Sequence, residues 1–483
     1  MRKILFLLLL VAVSCQESLA DTRIVTETLD LHFAYDGSLS SAVACFPSRG
    51  SENARCGQYA DSGVIGHEGG GGSWKEIPNH SDTHFELSFE GLTGASVTWK
   101  IPLSGYLLEL HTKGVDGLTL DSGTVFRPRD AAGFGGWLEQ TRYLGISGRD
   151  AVQLGLDEDE ESSLAADDWL GYRNRFWALL VAQVAGREEP LTAQVRTGEA
   201  NLDASLILAM DARQESEFSI YMGPVEPRAL KAVDAELSNA LYAGLWFWLR
   251  WICFALFYLL SWIGMVIPSW GLSVMVMSLI VHVLMLPLSR IAERLQQQVH
   301  ATEARLAPEL QRIKKEFKGE VQSAKILALY KTERVHPLYS LKSMMGVAVV
   351  IPIFIGAFDM LAENIHLMNA SFLWISDLSR PDAVFVFPFS LPFFGAELNL
   401  LPFLMTGLSV AASAMHNPPA LNAELRKKQV RNMFLMALGF FALFYTFPAG
   451  MVLYWTTNNL ISVSKSLWAR RYNSKQSEKR EKA

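Results

Sequence analysis

The chain has 483 residues, of which 50% are hydrophobic and 19% are charged, and its formal net charge is −6. Residues 21–240 carry 34 acidic against 17 basic side chains, whereas residues 241–483 carry 14 against 24. This length suffices for two or three domains, and the lack of a long basic run interleaved with aromatic residues argues against nucleic acid as a direct partner. Metal-ligand spacings, nucleophile–base pairs and phosphate-binding glycine loops are absent too, so we predict neither enzymatic activity nor a metal or cofactor.

The first 20 residues have the pattern of an export signal. Two basic residues precede a short apolar stretch at residues 4–13, and residues 18–20 are suited to cleavage. A second interpretation is a lipoprotein signal that ends at Cys15, although Ala12 stands where a leucine is usual. Both interpretations export the acidic half that follows.

Residues 21–235 have the pattern of an antiparallel β-sandwich. Short alternating runs, such as THFELSFE at 83–90 and ASVTWKI at 95–101, recur at intervals of roughly ten residues with turn residues between them. Cys45 and Cys56 lie in a loop-like part of this predicted domain. An oxidising compartment permits a disulfide between them, and two free thiols also fit the sequence.

A connector at residues 236–268 ends in a tryptophan-rich apolar stretch, residues 243–266. This stretch is long enough to cross a bilayer, and it also suits a helix that lies in the membrane interface. A single crossing that ends near Arg290 puts the basic segment after it on the cytoplasmic side, where Lys and Arg are favoured. We therefore predict that residues 243–266 form an interfacial helix.

The next apolar stretch, residues 270–290, is the first predicted crossing. It is about 20 residues long, which is the length a helix needs to span a bilayer. Ser278 and His282 interrupt its middle and lie on one helical face because they are four residues apart. An ionisable residue at this depth indicates a functional face, whereas packing of a neutral histidine is the simpler interpretation.

The rest of the chain alternates between charged and apolar segments. Residues 291–337 are predicted to form a cytoplasmic helical hairpin, because apolar residues recur at helical spacing on both sides of a turn at 318–320. We predict four more crossings, at residues 343–362, 398–415, 432–447 and 450–467, which bring the total to five. Residues 471–483 are predicted to form a basic cytoplasmic tail. Five crossings put the basic connections inside and the mostly acidic residues 363–397 outside.

Several motifs between residues 243 and 470 occur in the order and spacing of one family. They include IVHVLMLPL at 280–288, LAPELQRI at 306–313, IPIF at 351–354, LWISDL at 373–378 and FPAGMVLYW at 447–455. On these residues the basic half resembles the YidC/Oxa/Alb family of membrane protein insertases. In the acidic half only WLG at 169–171 and RF at 175–176 are similar to the exported sandwich of Gram-negative members.

The resemblance implies a fold and a function. The fold would be multi-domain: a periplasmic β-sandwich followed by an insertase core of five transmembrane helices with a cytoplasmic hairpin. The core helices would enclose a hydrophilic groove that receives nascent membrane proteins in the bacterial inner membrane, with the C-terminus in the cytoplasm. The implied partners are nascent membrane proteins and the lipid bilayer, and a Sec translocon and the ribosome are further candidates. No cofactor is needed, because burial of a client's apolar segment supplies about 25 cal/mol per Å².

Five residues are candidates for the groove: Ser278, His282, Lys342, Tyr454 and Trp455. The family has an arginine at the position of His282, and a buried imidazole tends to be neutral, which puts a fixed groove charge in doubt. Lys342, near the inner end of the second core helix, could supply a charge instead. Tyr454 and Trp455 match aromatic positions on the last helix, where ordinary packing is the simpler explanation.

Three other functions stay open at this point. The chain could be a divergent assembly chaperone without full insertase activity. It could be a membrane-anchored periplasmic protein that binds glycans through the sandwich. A secondary transporter or channel is the third, although the long charged hairpin and the lack of an inverted repeat argue against it.

Overall fold

The computed structural model describes the chain from Thr22 to Glu481 with several gaps. The described residues are 22–47, 55–59, 63–68, 74–81, 83–91, 93–126, 132–148, 150–153, 161–164, 168–184, 191–197, 204–336, 339, 341–415 and 423–481. For some of these, including residues 341–350 and 423–430, the description covers the backbone alone. The export signal and the lipoprotein alternative at Cys15 fall outside the described residues.

The acidic half is a β-sandwich, as predicted, with the short helix α1 (Gly135–Leu138) within it; its last residues, after the final strand, are described below with the helical half. Its strands are β1 (Thr22–Val25), β2 (Leu29–Phe33), β3 (Leu39–Phe46), β4 (Arg55–Gln58), β5 (Ile65–Glu68), β6 (Trp74–His80), β7 (His84–Gly91), β8 (Ser96–Pro102), β9 (Leu107–Lys113), β10 (Gly117–Asp121), β11 (Arg142–Ser147), β12 (Asp150–Gln153), β13 (Glu161–Leu164), β14 (Trp169–Arg173), β15 (Trp177–Gln183), β16 (Leu191–Thr197), β17 (Ala204–Ala209) and β18 (Ser216–Pro224).

The strands form two nine-stranded antiparallel sheets. One has the order β1-β2-β3-β5-β10-β17-β16-β13 with β4 beside β3, and the other has the order β12-β11-β14-β15-β18-β9-β8-β7-β6. Strands such as β2 alternate between buried and half-buried residues, as expected when one face covers a core. In contrast, β14 and β15 are buried along their whole length, and β14 is hydrogen-bonded to the segment that leads to the helices through Trp169 and Arg173.

Cys45 on β3 and Cys56 on β4 lie opposite each other and form a disulfide. Replacement of Cys56 by serine is expected to lower the free energy of unfolding by about 2–3 kcal/mol, because the unfolded chain regains the freedom of the closed loop. Thermal unfolding of the detergent-purified protein would measure this loss. A reducing agent should destabilise the wild type and leave Cys56→Ser unchanged; equal unfolding temperatures for both proteins would contradict the expectation.

The basic half consists of helices and one hairpin. Its elements are α2 (Pro227–Val233), α3 (Phe247–Val266), α4 (Trp270–Glu316), α5 (Gly319–Thr332), α6 (Leu341–Ala362), β19 (Phe385–Leu391), β20 (Gly395–Leu398), α7 (Leu400–Met415), α8 (Ala423–Phe444) and α9 (Ala449–Glu481). Two segments, Phe247–Val266 and Trp270–Ala292, are long and apolar enough to span a membrane. Shorter apolar segments lie within α6, α7 and α8.

Several helices are longer than the apolar runs that predicted them. The predicted crossing at 270–290 and the first arm of the cytoplasmic hairpin are one helix, α4, which passes through Pro287 and Pro308. Helix α8 begins nine residues earlier than predicted, and α9 takes in most of the predicted basic tail. The reason is that Lys, Arg, Glu and Gln are good helix formers, so a helix continues where its apolar run ends.

Buried arginines join the sandwich to the helical half. Arg173 and Arg142 both donate to Oε1 of Glu363, which directly follows α6; the Arg142 bond measures 3.0 Å. Arg175 donates through Nε to the carbonyl oxygen of Ala362 at 2.8 Å. The sandwich is therefore fastened to the end of α6 through desolvated, charge-assisted hydrogen bonds.

Helix α3 contacts this same end of the helical half along much of its length. The ammonium group of Lys231 on α2 lies 5.5 Å from the ring centre of Phe254 and 5.9 Å from that of Tyr258, both in the middle of α3. The ring of Phe257 lies 5.9 Å from that of His366, in the segment after α6. The middle of α3 therefore lies beside the sandwich and the segment after α6.

Candidate functional site

Ser278 and Tyr454 connect the first and last long helices. Ser278 is wholly buried, and its hydroxyl donates to the carbonyl oxygen of Tyr454 at 3.3 Å. Small polar residues allow helix backbones to approach closely inside a membrane, and the hydrogen bond adds to the contact. Two of the five predicted groove residues are thus brought together between α4 and α9.

His282 lies one turn beyond Ser278 and is half-buried. Its Nε2 atom is shielded from solvent and has no hydrogen-bond partner among the described residues. The charged side chain that acts on it electrostatically is Lys465, an exposed residue on α9. Asp359 on α6 lies instead among the charges of Glu363, Arg142 and Arg173.

Trp455 contacts the aromatic side chains of neighbouring helices. Its ring centre lies 4.5 Å from that of Phe354 on α6 and 5.9 Å from that of Phe444 on α8. Tyr454 is almost fully buried beside it, and both residues line a small apolar cavity against α6. These contacts favour packing as the role of Trp455.

The backbone of Lys342 lies in the first turn of α6, and its side chain falls outside the described part of the structure. A charge from Lys342 in the groove therefore stays a prediction. Lys465 on α9 is a cation close enough to His282 to disfavour its charged form. Sequence reasoning did not single out Lys465, which lies near the inner end of the crossing predicted at residues 450–467.

Sequence reasoning also missed polar residues on α7 and α9. The side-chain amide of Asn459 donates to Oγ of Ser409 at 2.6 Å and to the carbonyl oxygen of Met405 at 3.1 Å. The hydroxyl of Thr406 is buried and, like Nε2 of His282, has no partner in the part of the chain that the structure describes. The run TTNN at 456–459, inside an otherwise apolar helix, was the available signal.

One cluster on the sandwich has the residue types of a metal site. The ligand atoms of Glu109, His111 and Glu217 lie within 4.8 Å of one another on β9 and β18. Nε2 of His111 is 3.3 Å from Glu217, and the ammonium group of Lys100 is 3.5 Å from Glu109. Partly exposed ion pairs account for this arrangement, and we assign no metal to it.

The outward-facing surfaces of the helices are apolar, whereas the contacts between the helices include polar groups. Leu279, Val283 and Leu284 on α4 are exposed, as are the three consecutive residues 434–436 on α8. A protein with exposed apolar helix faces and interior polar groups suits a lipid environment rather than water. Together with two helices of spanning length, these features define a membrane protein.

Comparisons with known proteins agree with this class. Residues 262–477 match the profile of the family described as the 60Kd inner membrane protein. The membrane protein insertase YidC of Janthinobacterium sp. (strain Marseille) is 30% identical over 260 residues, which cover 53% of this chain and 43% of that protein. YidC of Herminiimonas arsenicoxydans is 26% identical over 366 residues, or 74% of this chain and 60% of that protein. In the matched region the chain is similar to the membrane protein insertases of this family.

Two further facts limit what these similarities establish about the whole chain. The chain spans about half the length of the curated relatives that it matches, with shares between 43% and 60% for the two proteins above. A crystal structure of an active YidC insertase with the first transmembrane domain resolved covers 93% of both chains at 16% identity. Its TM-score is 0.38, which is too low to establish a shared arrangement of the whole chain.

Proposed function

We propose that this protein is a membrane protein insertase and chaperone whose clients enter a polar groove between α4, α7 and α9. Two buried polar atoms carry the proposal, Nε2 of His282 and Oγ1 of Thr406, neither of which has a hydrogen-bond partner within the described ranges. Leaving such atoms unpaired in an apolar medium is costly, so water or a polar client segment beside them would lower the free energy. The similarity of residues 262–477 to the 60Kd inner membrane protein family, and of the chain to YidC insertases, supports the same function.

The physical basis is a lower cost of desolvation. A polar loop that crosses hydrocarbon loses its water, whereas one that enters a wet groove keeps part of it. The client's apolar segment would slide along the exposed apolar faces of the helices and gain about 25 cal/mol per Å² on leaving water. This gain can drive insertion without a nucleotide.

The proposed arrangement has five crossings, a periplasmic sandwich and a cytoplasmic C-terminus. Helix α3 lies in the outer interface in this arrangement. Its middle contacts Lys231, which precedes the first crossing, and His366, which follows α6; this supports the assignment, because both groups then lie outside. The exposed basic hairpin of α4 and α5 is then cytoplasmic, where it could meet anionic lipid, the ribosome or a Sec translocon.

Complementation of an insertase-depleted strain tests the proposal. Wild type should restore growth and the insertion of small membrane proteins. His282→Arg should work as well as wild type, because arginine matches the family residue, and His282→Leu should work worse than His282→Ala because it fills the groove with apolar volume. Val283→Leu, on the exposed face of the same helix, is the matched control and should have no effect.

The outcomes also separate the alternatives. A wild-type protein that accumulates in the membrane without restoring insertion would contradict the insertase proposal. If it then improves only the assembly of proteins that are already inserted, it is the divergent chaperone considered above. The presence of histidine where the family has arginine is the observation that keeps this second candidate open.

A further inference from the structure

The hairpin of β19 and β20, residues 383–398, is an exposed apolar surface that no part of the proposed function explains. We call it the aromatic hairpin. Its sequence has no charged residue between Asp382 and Glu397. Phe385 is 54% exposed and Val386 is 60% exposed, and these regularly paired neighbours point to opposite faces of β19; Phe389 is 56% exposed as well.

A hairpin of this composition is unsuited to water. Two strands without a further sheet or helix over one face are at best marginally stable. Here the rings of Phe385, Phe387 and Phe389 form a ladder with centre distances of 5.1 and 5.4 Å on one face, and apolar side chains are exposed on the other. Exposed apolar patches in a folded protein mark an interaction site.

Contacts hold the aromatic hairpin at the junction of the two halves. The hydroxyl of Tyr445, near the end of α8, donates to the carbonyl oxygen of Glu397 at 2.9 Å. At the turn, the ring of Phe393 lies 5.1 Å from that of Phe134 in the sandwich. The neighbouring Trp137 is also exposed, so aromatic side chains from both halves extend the same surface.

We propose that the aromatic hairpin is inserted in the outer leaflet of the membrane, at the boundary between lipid headgroups and acyl chains. Lipid is the favoured occupant because both faces of β19 are exposed, and lipid surrounds a hairpin whereas a protein partner covers one face. The free edges of the two strands set the depth, since unpaired backbone groups do not occur in the hydrocarbon core. Aromatic side chains are enriched at this boundary.

The inference rests on the proposed arrangement of crossings, which puts residues 363–397 outside. It does not depend on insertase activity. A second copy of the chain or a client segment that covers the hairpin is the competing explanation, and both would shield it from lipid. The test must therefore measure the immediate surroundings of the hairpin rather than growth or insertion.

Spin labels at Phe389→Cys and Val386→Cys, in protein reconstituted into lipid nanodiscs, measure those surroundings. Cys15 and Cys253 are replaced by serine, and the disulfide is kept. Tyr35→Cys is the matched control, because Tyr35 is an aromatic residue of similar exposure. It follows the end of β2, whereas Thr28, before the start of β2, lines a cavity with residues of α3 and α4. Position 35 therefore lies on the side of the sandwich away from the helices. We expect the ratio of oxygen to nickel-chelate accessibility at positions 386 and 389 to exceed that at position 35 severalfold.

Two results would overturn the proposal. A ratio at both hairpin positions equal to that at position 35 would mean that water surrounds the hairpin. Shielding from oxygen and nickel chelate alike would mean that protein covers it. A second measurement needs no substitution: a lipid with a photoactivatable group near its headgroup should label the peptide that contains the aromatic hairpin, and the absence of that labelled peptide would contradict insertion.

Discussion

Replacement of Glu363 by alanine is expected to lower the free energy of unfolding by about 3–5 kcal/mol, the range for breaking a buried ion pair. Glu363 is 5% exposed, and Arg173, which donates to it, is 1% exposed. Arg142 donates to the same carboxylate oxygen. Without the carboxylate, the buried guanidinium of Arg173 and the partly exposed guanidinium of Arg142 would both lose their counter-charge.

Thermal unfolding in detergent measures this effect, and limited proteolysis reports whether the sandwich separates from the helices. Glu363→Gln should have an intermediate effect, because an amide oxygen still accepts hydrogen bonds but carries no charge. Glu215→Ala is the control, since its ion pair with Lys113 is exposed and solvent-screened pairs of this kind contribute little to stability. If both alanine variants were equally stable, the joint would not depend on this network.

Asp382→Ala is the second substitution with a large expected effect, a loss of about 2–4 kcal/mol. The Asp382 carboxylate is buried, and its Oδ2 atom accepts hydrogen bonds from the backbone N–H groups of Leu400 and Leu401, each at 2.9 Å. It also accepts one from the indole of Trp374 at 3.0 Å. Alanine would leave the first turn of α7 and the indole without their acceptor.

Asp382→Asn is the informative control for this site. All three hydrogen bonds converge on a single oxygen, so the amide oxygen of asparagine can replace it. We expect this variant to keep more than half of the stability that alanine loses, as measured by thermal unfolding and by hydrogen exchange of the Leu400 amide. An asparagine variant as unstable as the alanine variant would show that the negative charge, rather than the acceptor, stabilises the start of α7.

The local pattern of the sequence was sufficient to predict which segments form strands and helices, but not which strands pair with each other. The alternating runs at 83–90 and 95–101 are β7 and β8, close to their predicted bounds. The neighbour of β9 in the sheet is β18, which pairs Ser216 with Thr112 across more than a hundred residues. Periodicity carries no information on such long-range contacts, because many strands share the same pattern.

For the candidate site, too, the sequence was sufficient to identify residues but not the contacts that they make. The polar interruption at Ser278 and His282 could be read from the sequence, since polar residues in a long apolar run are conspicuous. The partner of Ser278 could not, because the acceptor is a backbone carbonyl on α9. The pairing of Arg173 with Glu363 joins residues 190 positions apart, and neither sequence neighbourhood indicates the other.

The length of α4 has a mechanical consequence. With 47 residues and a rise of about 1.5 Å per residue, it is about 70 Å long and connects the turn that carries His282 to the hairpin formed with α5. Pro287 interrupts its hydrogen-bond ladder just past His282 and so provides a natural bending point. A partner that tilts the far end of α4 would therefore bend the helix at Pro287. The long segment after Pro287 would act as a lever arm on the turn that carries His282.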